Sequence, residues 1–263
     1  MDLGLRGKVA LVAASSRGLG RAIAEELALE GAQLVICARG EEALRIAADE
    51  IRSRSATIVV DVAADVSETA GLERVVKSAF DAFGRVDILV TNSGGPPSGT
   101  FDSLTPEMWD AATRLLLTSA VGLTRAVLPG MKERRWGRII NVTSIAAKQP
   151  VEGLMLSNSL RAAVTGFAKT LASEVAPYGI TVNNILPGYT RTERVEELAR
   201  TMGERSGKPA ADAFAKWEKE IPIGRLGEPR ELAALAAFLA SDRASYITGS
   251  SIAVDGGWIR SLL

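Results

Sequence analysis

Seven short apolar runs are spaced along the chain, and longer segments of mixed polarity separate them. The runs are almost continuously apolar, which is typical of strands that are covered on both faces. Their spacing favours right-handed crossovers between parallel strands. We therefore predict a seven-stranded parallel sheet with strands at residues 8–14, 32–38, 56–62, 86–92, 137–143, 180–186 and 250–257.

The segments between these runs have the periodicity of helices. RAIAEELALEG at 21–31 has apolar residues at helical spacing and ends at Gly31, where a helix stop is expected. EEALRIAADEIRSR at 41–54 and ELAALAAFLAS at 231–241 follow the same pattern. Helices that connect parallel strands cover both faces of the sheet, so the sequence predicts a three-layer, doubly wound α/β fold.

One stretch interrupts this alternation. Residues 189–221 form a long, charged, helical segment between the sixth strand and IPIGRLGEP. A segment of this length outside the alternation is better interpreted as a mobile lid than as a linker. No internal repeat or low-complexity tract is present. Residues 1–263 are therefore predicted to form a single domain with a lid-like insertion at 189–221.

The composition excludes several classes of function. The chain has 31 basic and 31 acidic residues and no long basic run, which argues against binding of nucleic acid or of an anionic membrane. It has no histidine and one cysteine, Cys37, so no metal site is expected. No segment reaches the roughly 18 apolar residues that span a bilayer, and no signal-peptide pattern is present. We expect a soluble cytoplasmic protein that binds a small molecule.

A turn that contains two glycines follows the first strand and leads into a helix. Such a turn lets backbone N–H groups approach a pyrophosphate, whose charge the helix N-terminus favours. The match is weak when taken alone, because two glycines in a turn occur in many loops. The residues of this turn are Ala14, Ser15, Ser16, Arg17, Gly18, Leu19 and Gly20.

Two arginines indicate which dinucleotide the turn would bind. Arg39 follows the second strand about 20 residues after the turn, where an acidic residue would bind a ribose 2′-hydroxyl and an arginine favours a 2′-phosphate. Arg17, inside the turn, adds a second cation. Both could instead be solvated surface arginines. Two guanidinium groups without a carboxylate at this strand end favour NADP(H) over NAD(H).

Motifs farther along the chain make the pattern specific. TNSGG at 91–95 follows the fourth strand, PGYTRT at 187–192 follows the sixth, and GRLGEPRELA and ITGSSIAVDGG complete the C-terminal part. With a turn that matches TGxxxGxG except at Ala13 and Ala14, the chain resembles the short-chain dehydrogenase/reductase family, particularly its 3-oxoacyl reductase-like members, over essentially its whole length. The resemblance implies a Rossmann-type fold and a bound NADP(H). A positive φ at Ala14 would strain the turn.

The resemblance also implies a set of cofactor contacts. Asp65, in ADVS, falls where the family contacts adenine, and PGYTRT matches the segment that holds the nicotinamide carboxamide and the pyrophosphate. The predicted cofactor-binding residues are Ala14, Ser15, Ser16, Arg17, Gly18, Leu19, Gly20, Arg39, Asp65, Val66, Asn92, Ser93, Gly94, Arg161, Pro187, Gly188, Thr190 and Thr192.

The resemblance ends at the catalytic positions. Ser144, in NVTS, matches the serine that holds the substrate carbonyl in the family. Ser157 stands 13 residues later, where the family has its proton-transferring tyrosine, and Arg161 stands where it has lysine. The family's asparagine aligns with Leu116. An aliphatic hydroxyl is a weaker acid than a phenol by roughly 5 to 6 pKa units, so Ser157 is a poor substitute.

Other groups are candidates for the proton transfer. Arg161 keeps a positive charge that can stabilise an oxyanion, although a guanidinium is a poor proton donor. Lys148, in the loop after Ser144, and Tyr189, just beyond the PG dipeptide, are further candidates; their simpler interpretations are a solvated lysine and a packing aromatic. The predicted catalytic set is Ser144, Ser157, Arg161, Lys148 and Tyr189.

Three functions are compatible with these patterns. The first is an NADP(H)-dependent oxidoreductase that transfers a hydride between nicotinamide and a carbonyl or alcohol substrate. The second is a dinucleotide-binding or regulatory protein without useful turnover, which the missing tyrosine favours. The third is another reaction in the same pocket, such as dehydration or isomerisation. If the resemblance extends to assembly, residues 105–130, residues 155–176 and the C-terminal strand would form the contacts of a homotetramer or homodimer.

Overall fold

A parallel sheet of seven strands runs through the centre of the computed structural model, which describes residues 2–207 and 209–262. The strand order is β3-β2-β1-β4-β5-β6-β7, so the chain crosses from one half of the sheet to the other between β3 and β4. All seven predicted strands are confirmed: β1 Val9–Ala13, β2 Gln33–Ala38, β3 Val59–Ala63, β4 Ile88–Thr91, β5 Gly137–Val142, β6 Ile180–Pro187 and β7 Ser251–Val254.

Helices cover both faces of the sheet and complete the predicted three layers. One core lies between the sheet and α1, α2 and α9, and the other lies between the sheet and α3, α5 and α6. The helix α1 begins three residues earlier than expected, because the glycine turn itself enters the helix. The helices are α1 Gly18–Leu29, α2 Glu41–Arg54, α3 Thr69–Phe83, α4 Pro106–Thr113, α5 Ser119–Arg134, α6 Met155–Val175, α7 Glu193–Ser206, α8 Ala210–Glu220 and α9 Pro229–Ala240.

The helical run from α4 to α5 corrects one expectation. Pro106–Arg134 is continuous through a π-helical stretch at Arg114–Thr118, and its length and composition alone would allow it to cross a membrane. In the fold this run packs against α3, α6 and the strands β4 and β5. Leu123 and Met131 from it are buried in the core. About 39% of the most apolar 18-residue window of this run is buried in the fold.

The segment predicted as a lid folds into α7 and α8, which pack against each other; Lys208, between them, lies outside the described residues. The two helices have a small core of their own, which includes Ala199, Trp217 and Leu226. Tyr189 joins this core by stacking on Trp217, with ring centroids 4.5 Å apart. The helices α7 and α8 follow β6, so they lie at the edge of the sheet where the parallel strands end.

A row of polar side chains, buried on β4, β5 and β6 and half-buried on β7, crosses four strands near this edge. Oγ1 of Thr91 donates to Oδ1 of Asn141 at 2.6 Å, and Nδ2 of Asn141 donates to Oδ1 of Asn184 at 3.0 Å. Nδ2 of Asn184 in turn donates to Oγ of Ser251 at 3.0 Å. Each of these residues is the register partner of the next. Because an unpaired buried amide is costly, this row stabilises a single register from β4 to β7.

The turn after β1 contains a strained residue. Ala14 has a φ of 50°, in the left-handed region that favours glycine. Placing an L-residue there costs roughly 1–2 kcal/mol. The sequence predicts strain in this turn only if Ala14 has a positive φ, and the structure shows that it does.

We predict that Ala14→Gly stabilises the protein by about 1 kcal/mol, because it removes the steric cost of the Cβ at positive φ. The matched control is Ala13→Gly, one residue earlier in the fully buried β1, which is expected to destabilise by about 1 kcal/mol or more. Urea unfolding of both variants measures the difference. A destabilised Ala14→Gly would show that the turn is not strained.

Candidate active site

The glycine turn packs closely against the end of β4. Gly20 has no room for a side chain, because a Cβ there would lie 2.2 Å from the carbonyl oxygen of Ala14. Nδ2 of Asn92, just after β4, donates to the same oxygen at 3.2 Å. No acidic residue occupies the first turn of α1, and no side chain caps it. The first N–H groups of α1 and the positive end of its dipole are therefore available to an anion.

Two of the predicted cofactor residues point into the protein. Ser15 is fully buried, and its hydroxyl donates to the carbonyl of Val12 at 2.8 Å and accepts from the N–H of Cys37 at 3.1 Å. Val66 packs in the core on the α3 side of the sheet. Their side chains are engaged inside the fold, so only their backbone groups are left for the predicted cofactor contact. A motif fixes the position of a residue in a turn but not the direction of its side chain.

Two predicted cations lie exposed at the ends of β1 and β2. Arg17 is in the turn, and the side chain of Arg39 is 74% exposed. Nη1 of Arg39 is 4.0 Å from Oδ2 of Asp65, at the limit of an ion pair. The other oxygen of Asp65 accepts hydrogen bonds from the N–H and the hydroxyl of Ser67. Asp65 thus orders the loop after β3, and both guanidinium groups remain accessible to a phosphate.

The PGYTRT segment packs against the glycine turn. Gly188 is required there, because a Cβ would lie 2.7 Å from Cα of Asp255. Thr190 is buried and donates to the carbonyl of Gly188 at 3.4 Å. Thr192 precedes α7, and its Cγ2 lies 3.5 Å from where a Cβ of Gly18 would be. The structure therefore brings Gly18 and Thr192 together, as the motifs predict; Pro187 lies farther back and pairs with β7.

Ser144 and Arg161 are both placed by the end of β5. Ser144 follows this strand by two residues, and its Oγ accepts from the N–H of Ala146 at 3.1 Å. Arg161, on α6, donates from Nη1 to the carbonyl of Val142 at 2.9 Å. The Ser144 hydroxyl thus keeps its own proton for another acceptor. The two side chains provide a hydrogen-bond donor and a positive charge at one strand end.

The charge of Arg161 lies in an unfavourable environment. Burial, and to a smaller extent the neighbouring charge of Arg194, lowers the pKa of Arg161 to about 10. Arg161 remains charged at neutral pH at this value, so it acts as a fixed positive charge. Ser157 lies one turn earlier on the same face of α6 and is buried.

A narrow cleft of about 10 Å³, room for about one water molecule, lies beside Arg161. Its polar wall includes Asn92 and Ser93, from the loop after β4. Its opposite wall is apolar and includes Leu116, from the π-helical stretch, and Val164. Gly94 leaves the space next to its Cα open. The cleft is thus polar on the side of the loop after β4 and apolar on the helix side.

The two alternative proton donors differ in their surroundings. Lys148 is exposed on the loop after Ser144, as the simpler interpretation had it. Tyr189 stacks on Trp217 and contacts Trp258 edge to face. Burial and the nearby Glu220 raise the pKa of Tyr189 to about 12, which makes it a weaker acid than a free phenol. The structure thus favours a packing role for Tyr189.

The sequence reasoning missed Arg194 and Gly95. Arg194 lies in the first turn of α7 and donates from Nη2 to the carbonyl of Pro96 at 2.8 Å. Its guanidinium lies directly on Gly95, where a Cβ would be 2.5 Å from Nε. The TNSGG motif includes Gly94 and Gly95 but does not predict which side chain packs against Gly95. The sequence signal for a role of Arg194 is its position two residues after the PGYTRT segment.

Comparison with known proteins agrees with this arrangement. A family model described as enoyl-(acyl carrier protein) reductase matches residues 13–259. A 3-oxoacyl-(acyl-carrier-protein) reductase of Vibrio cholerae is 38% identical over 97% of this chain and 98% of its own length. A D-beta-hydroxybutyrate dehydrogenase of Cupriavidus necator is also 38% identical, over 97% of this chain and 99% of its own.

A solved structure extends the likeness to three dimensions. The L-sorbose reductase of Gluconobacter frateurii, complexed with NADPH and L-sorbose, has a TM-score of 0.94 to this chain and 39% sequence identity. The match covers 100% of both chains. The L-sorbose reductase and the protein described here therefore share one fold over the whole of the matched chains. Together with the motifs at 14–20, 91–95 and 187–192, these matches show that the chain belongs to the short-chain dehydrogenase/reductase family.

Proposed function

We propose that this protein is an NADP(H)-dependent oxidoreductase that transfers a hydride between nicotinamide and a carbonyl or alcohol substrate. The observation that carries this proposal is the meeting of the two halves of the site at one sheet edge. The glycine turn and Thr192 form the anion-binding half, and Ser144 and Arg161 form the polarising half. The L-sorbose reductase complex with NADPH supports the same cofactor here.

The residues present fit NADP(H) at most positions. Gly18 and Gly20 keep the turn free of side chains, and the first turn of α1 carries no acidic residue of its own. Arg17 and Arg39 are accessible to a 2′-phosphate. One group does not fit: Oε2 of Glu193 comes within 3.9 Å of where a Cβ of Gly18 would be. Its negative charge opposes a phosphate at the turn.

In the proposed reaction the cofactor supplies or accepts the hydride when it is bound. The Ser144 hydroxyl donates a hydrogen bond to the substrate oxygen. The Arg161 guanidinium stabilises negative charge that develops on that oxygen. The Val142 carbonyl holds Arg161 in place through a hydrogen bond that does not depend on substrate.

This set is atypical for the family in our proposal. Ser157 and Arg161 occupy the places of the tyrosine and lysine, and Leu116 occupies that of the asparagine. Neither Ser157 nor Arg161 is a good proton donor, so the protein contributes polarisation and orientation more than acid catalysis, and the proton exchanged with the substrate oxygen comes from or goes to solvent water. A dinucleotide-binding protein with little turnover is the second candidate, which the buried hydroxyl of Ser157 favours.

We also propose that α7 and α8 act as a lid and that the protein assembles into a homotetramer or homodimer through α4–α6 and β7. Large apolar side chains exposed near these elements support assembly. They are Phe101, which is 71% exposed, and Tyr246, which is completely exposed.

We predict that Arg39→Ala and Arg17→Ala each weaken NADPH binding by about 10- to 100-fold, because each removes a charge-assisted contact to the 2′-phosphate. NADH binding is expected to change little. Arg125→Ala, an exposed arginine on α5, is the control. Titration of nicotinamide fluorescence measures all three, and equal losses for NADPH and NADH would contradict the assignment.

We predict that Glu193→Gln strengthens NADPH binding by about 2- to 5-fold at low salt, because it removes a carboxylate that repels the phosphate. Glu196→Gln, on the exposed surface of the same helix, is the matched control. The same fluorescence titration, repeated at high salt, should show the gain shrinking. An unchanged affinity at low salt would place Glu193 away from the phosphate.

The central test follows NADPH loss after activated ketones, diketones and 3-oxoacyl thioesters are added. Turnover of any of them, together with tight NADPH binding, is the expected result. Ser157→Tyr with Arg161→Lys is expected to raise the turnover number by about 10-fold or more, since a phenol near a lysine is a far better acid. Tight binding without turnover would instead establish the second candidate, and no binding of either nucleotide would overturn both.

A further inference from the structure

The chain after β7 makes a tight turn and then forms a C-terminal tail, residues 258–260. Asp255 organises the turn with both oxygens of its carboxylate. Its Oδ1 accepts from the N–H of Gly257 at 2.9 Å, and its Oδ2 accepts from the N–H of Ile259 at 2.8 Å. Gly256 and Gly257 both have a positive φ, which glycine adopts without strain. The turn therefore fixes the direction in which the tail leaves the sheet.

The tail packs against α8 and its small core. Trp258 lies against this core and contacts Tyr189 edge to face, with ring centroids 6.0 Å apart. Nη2 of Arg260 donates to the carbonyl of Glu220, the last residue of α8, at 3.2 Å. A positive charge at the C-terminus of a helix is also favoured by the helix dipole. The tail is thus joined to α8 by an aromatic contact and by a charged hydrogen bond.

The same tail contacts the loop that begins at Ser144. The backbone N–H of Arg260 donates to Oε1 of Gln149 at 2.9 Å. The N–H of Gln149 donates to the carbonyl of Ile145 at 3.0 Å. The N–H of Ala147 donates to the carbonyl of Ser144, also at 3.0 Å. Gln149 therefore closes the helical turn that starts at the candidate hydroxyl, and its side chain is bound by the tail.

We propose that Gln149 is a positioning residue for Ser144 and that the tail, which binds both Gln149 and Glu220, ties the position of this hydroxyl to α8. The inference rests on the proposed oxidoreductase function for its effect on turnover. Gln149 acts through the loop, whereas Ser144 is the residue that meets the substrate oxygen. A group that polarises a carbonyl has to be held within about 0.5 Å of its productive position, and support from neighbouring hydrogen bonds provides this precision.

The kinetic test uses 2,3-butanedione, a small diketone, and follows NADPH oxidation. Gln149→Ala is expected to lower kcat by about 10-fold and to leave the Kd of NADPH within about 2-fold. The loss falls on kcat more than on KM, because a misplaced donor matters most where charge develops. Gln149→Glu is expected to restore most of kcat, since a carboxylate oxygen accepts from the same N–H of Arg260. Glu152→Gln, exposed on the same loop, is the matched control.

A second readout needs no turnover. Hydrogen exchange of the full-length protein is measured on peptides that cover residues 144–150 and 216–222. Gln149→Ala is expected to raise the exchange rate in 144–150 by about 3- to 10-fold, and Gln149→Glu is expected to return it to that of the unmodified protein. Arg260→Ala removes the contact with Glu220 but keeps the N–H that Gln149 accepts. It is expected to raise exchange in both peptides, because the two contacts share one tail.

The outcomes separate the parts of the proposal. A kcat for Gln149→Ala within 2-fold of that of the unmodified protein would overturn the positioning role. Equal losses in Gln149→Ala and Gln149→Glu would do the same, because the hydrogen bond from Arg260 would then not be the cause. Faster exchange confined to 216–222 in Arg260→Ala would disprove the link to α8. If the unmodified protein reduces no carbonyl compound while exchange responds as expected, the support of the loop by the tail is upheld and the oxidoreductase proposal alone fails.

Discussion

The hydrogen-bonded row from Thr91 through Asn141 and Asn184 to Ser251 is the constraint on which the site depends. Each member is opposite the next in a parallel ladder, so a slip of one residue in any strand would leave buried amide groups unpaired. The loops that carry the candidate site residues leave the sheet directly after these strands. A polar row inside an apolar sheet therefore sets the relative heights of these loops.

Four arginines lie near this edge of the sheet. Arg17 and Arg39 are exposed around the glycine turn, whereas Arg161 lines the inner cleft and Arg194 packs on the loop after β4. Arg17 and Arg39 resemble ordinary solvated arginines, and their predicted role depends on the 2′-phosphate of NADP(H). The inner two differ because the fold holds both in place with backbone carbonyls, at 2.9 and 2.8 Å. The fold therefore limits the freedom of both guanidinium groups.

The fold could be predicted from the sequence because buried parallel strands leave a nearly continuous apolar pattern, and each predicted strand was found within a few residues. The strand ends that carry the motifs were predictable for the same reason. Side-chain direction was not: Ser15 lies in the motif but turns inward. The contact between Arg194 and Gly95 was also hidden, because it joins segments about a hundred residues apart and has no periodicity.

The contact between Gly95 and Arg194 has a consequence for how this protein can diverge. A guanidinium rests where any side chain at position 95 would have to be, so the two positions cannot change independently. A relative that acquires even a methyl group at 95 has to shorten or redirect the side chain at 194. The close packing of α7 on the loop after β4 would then be encoded as a pair of residues from two separate elements, inherited or lost together.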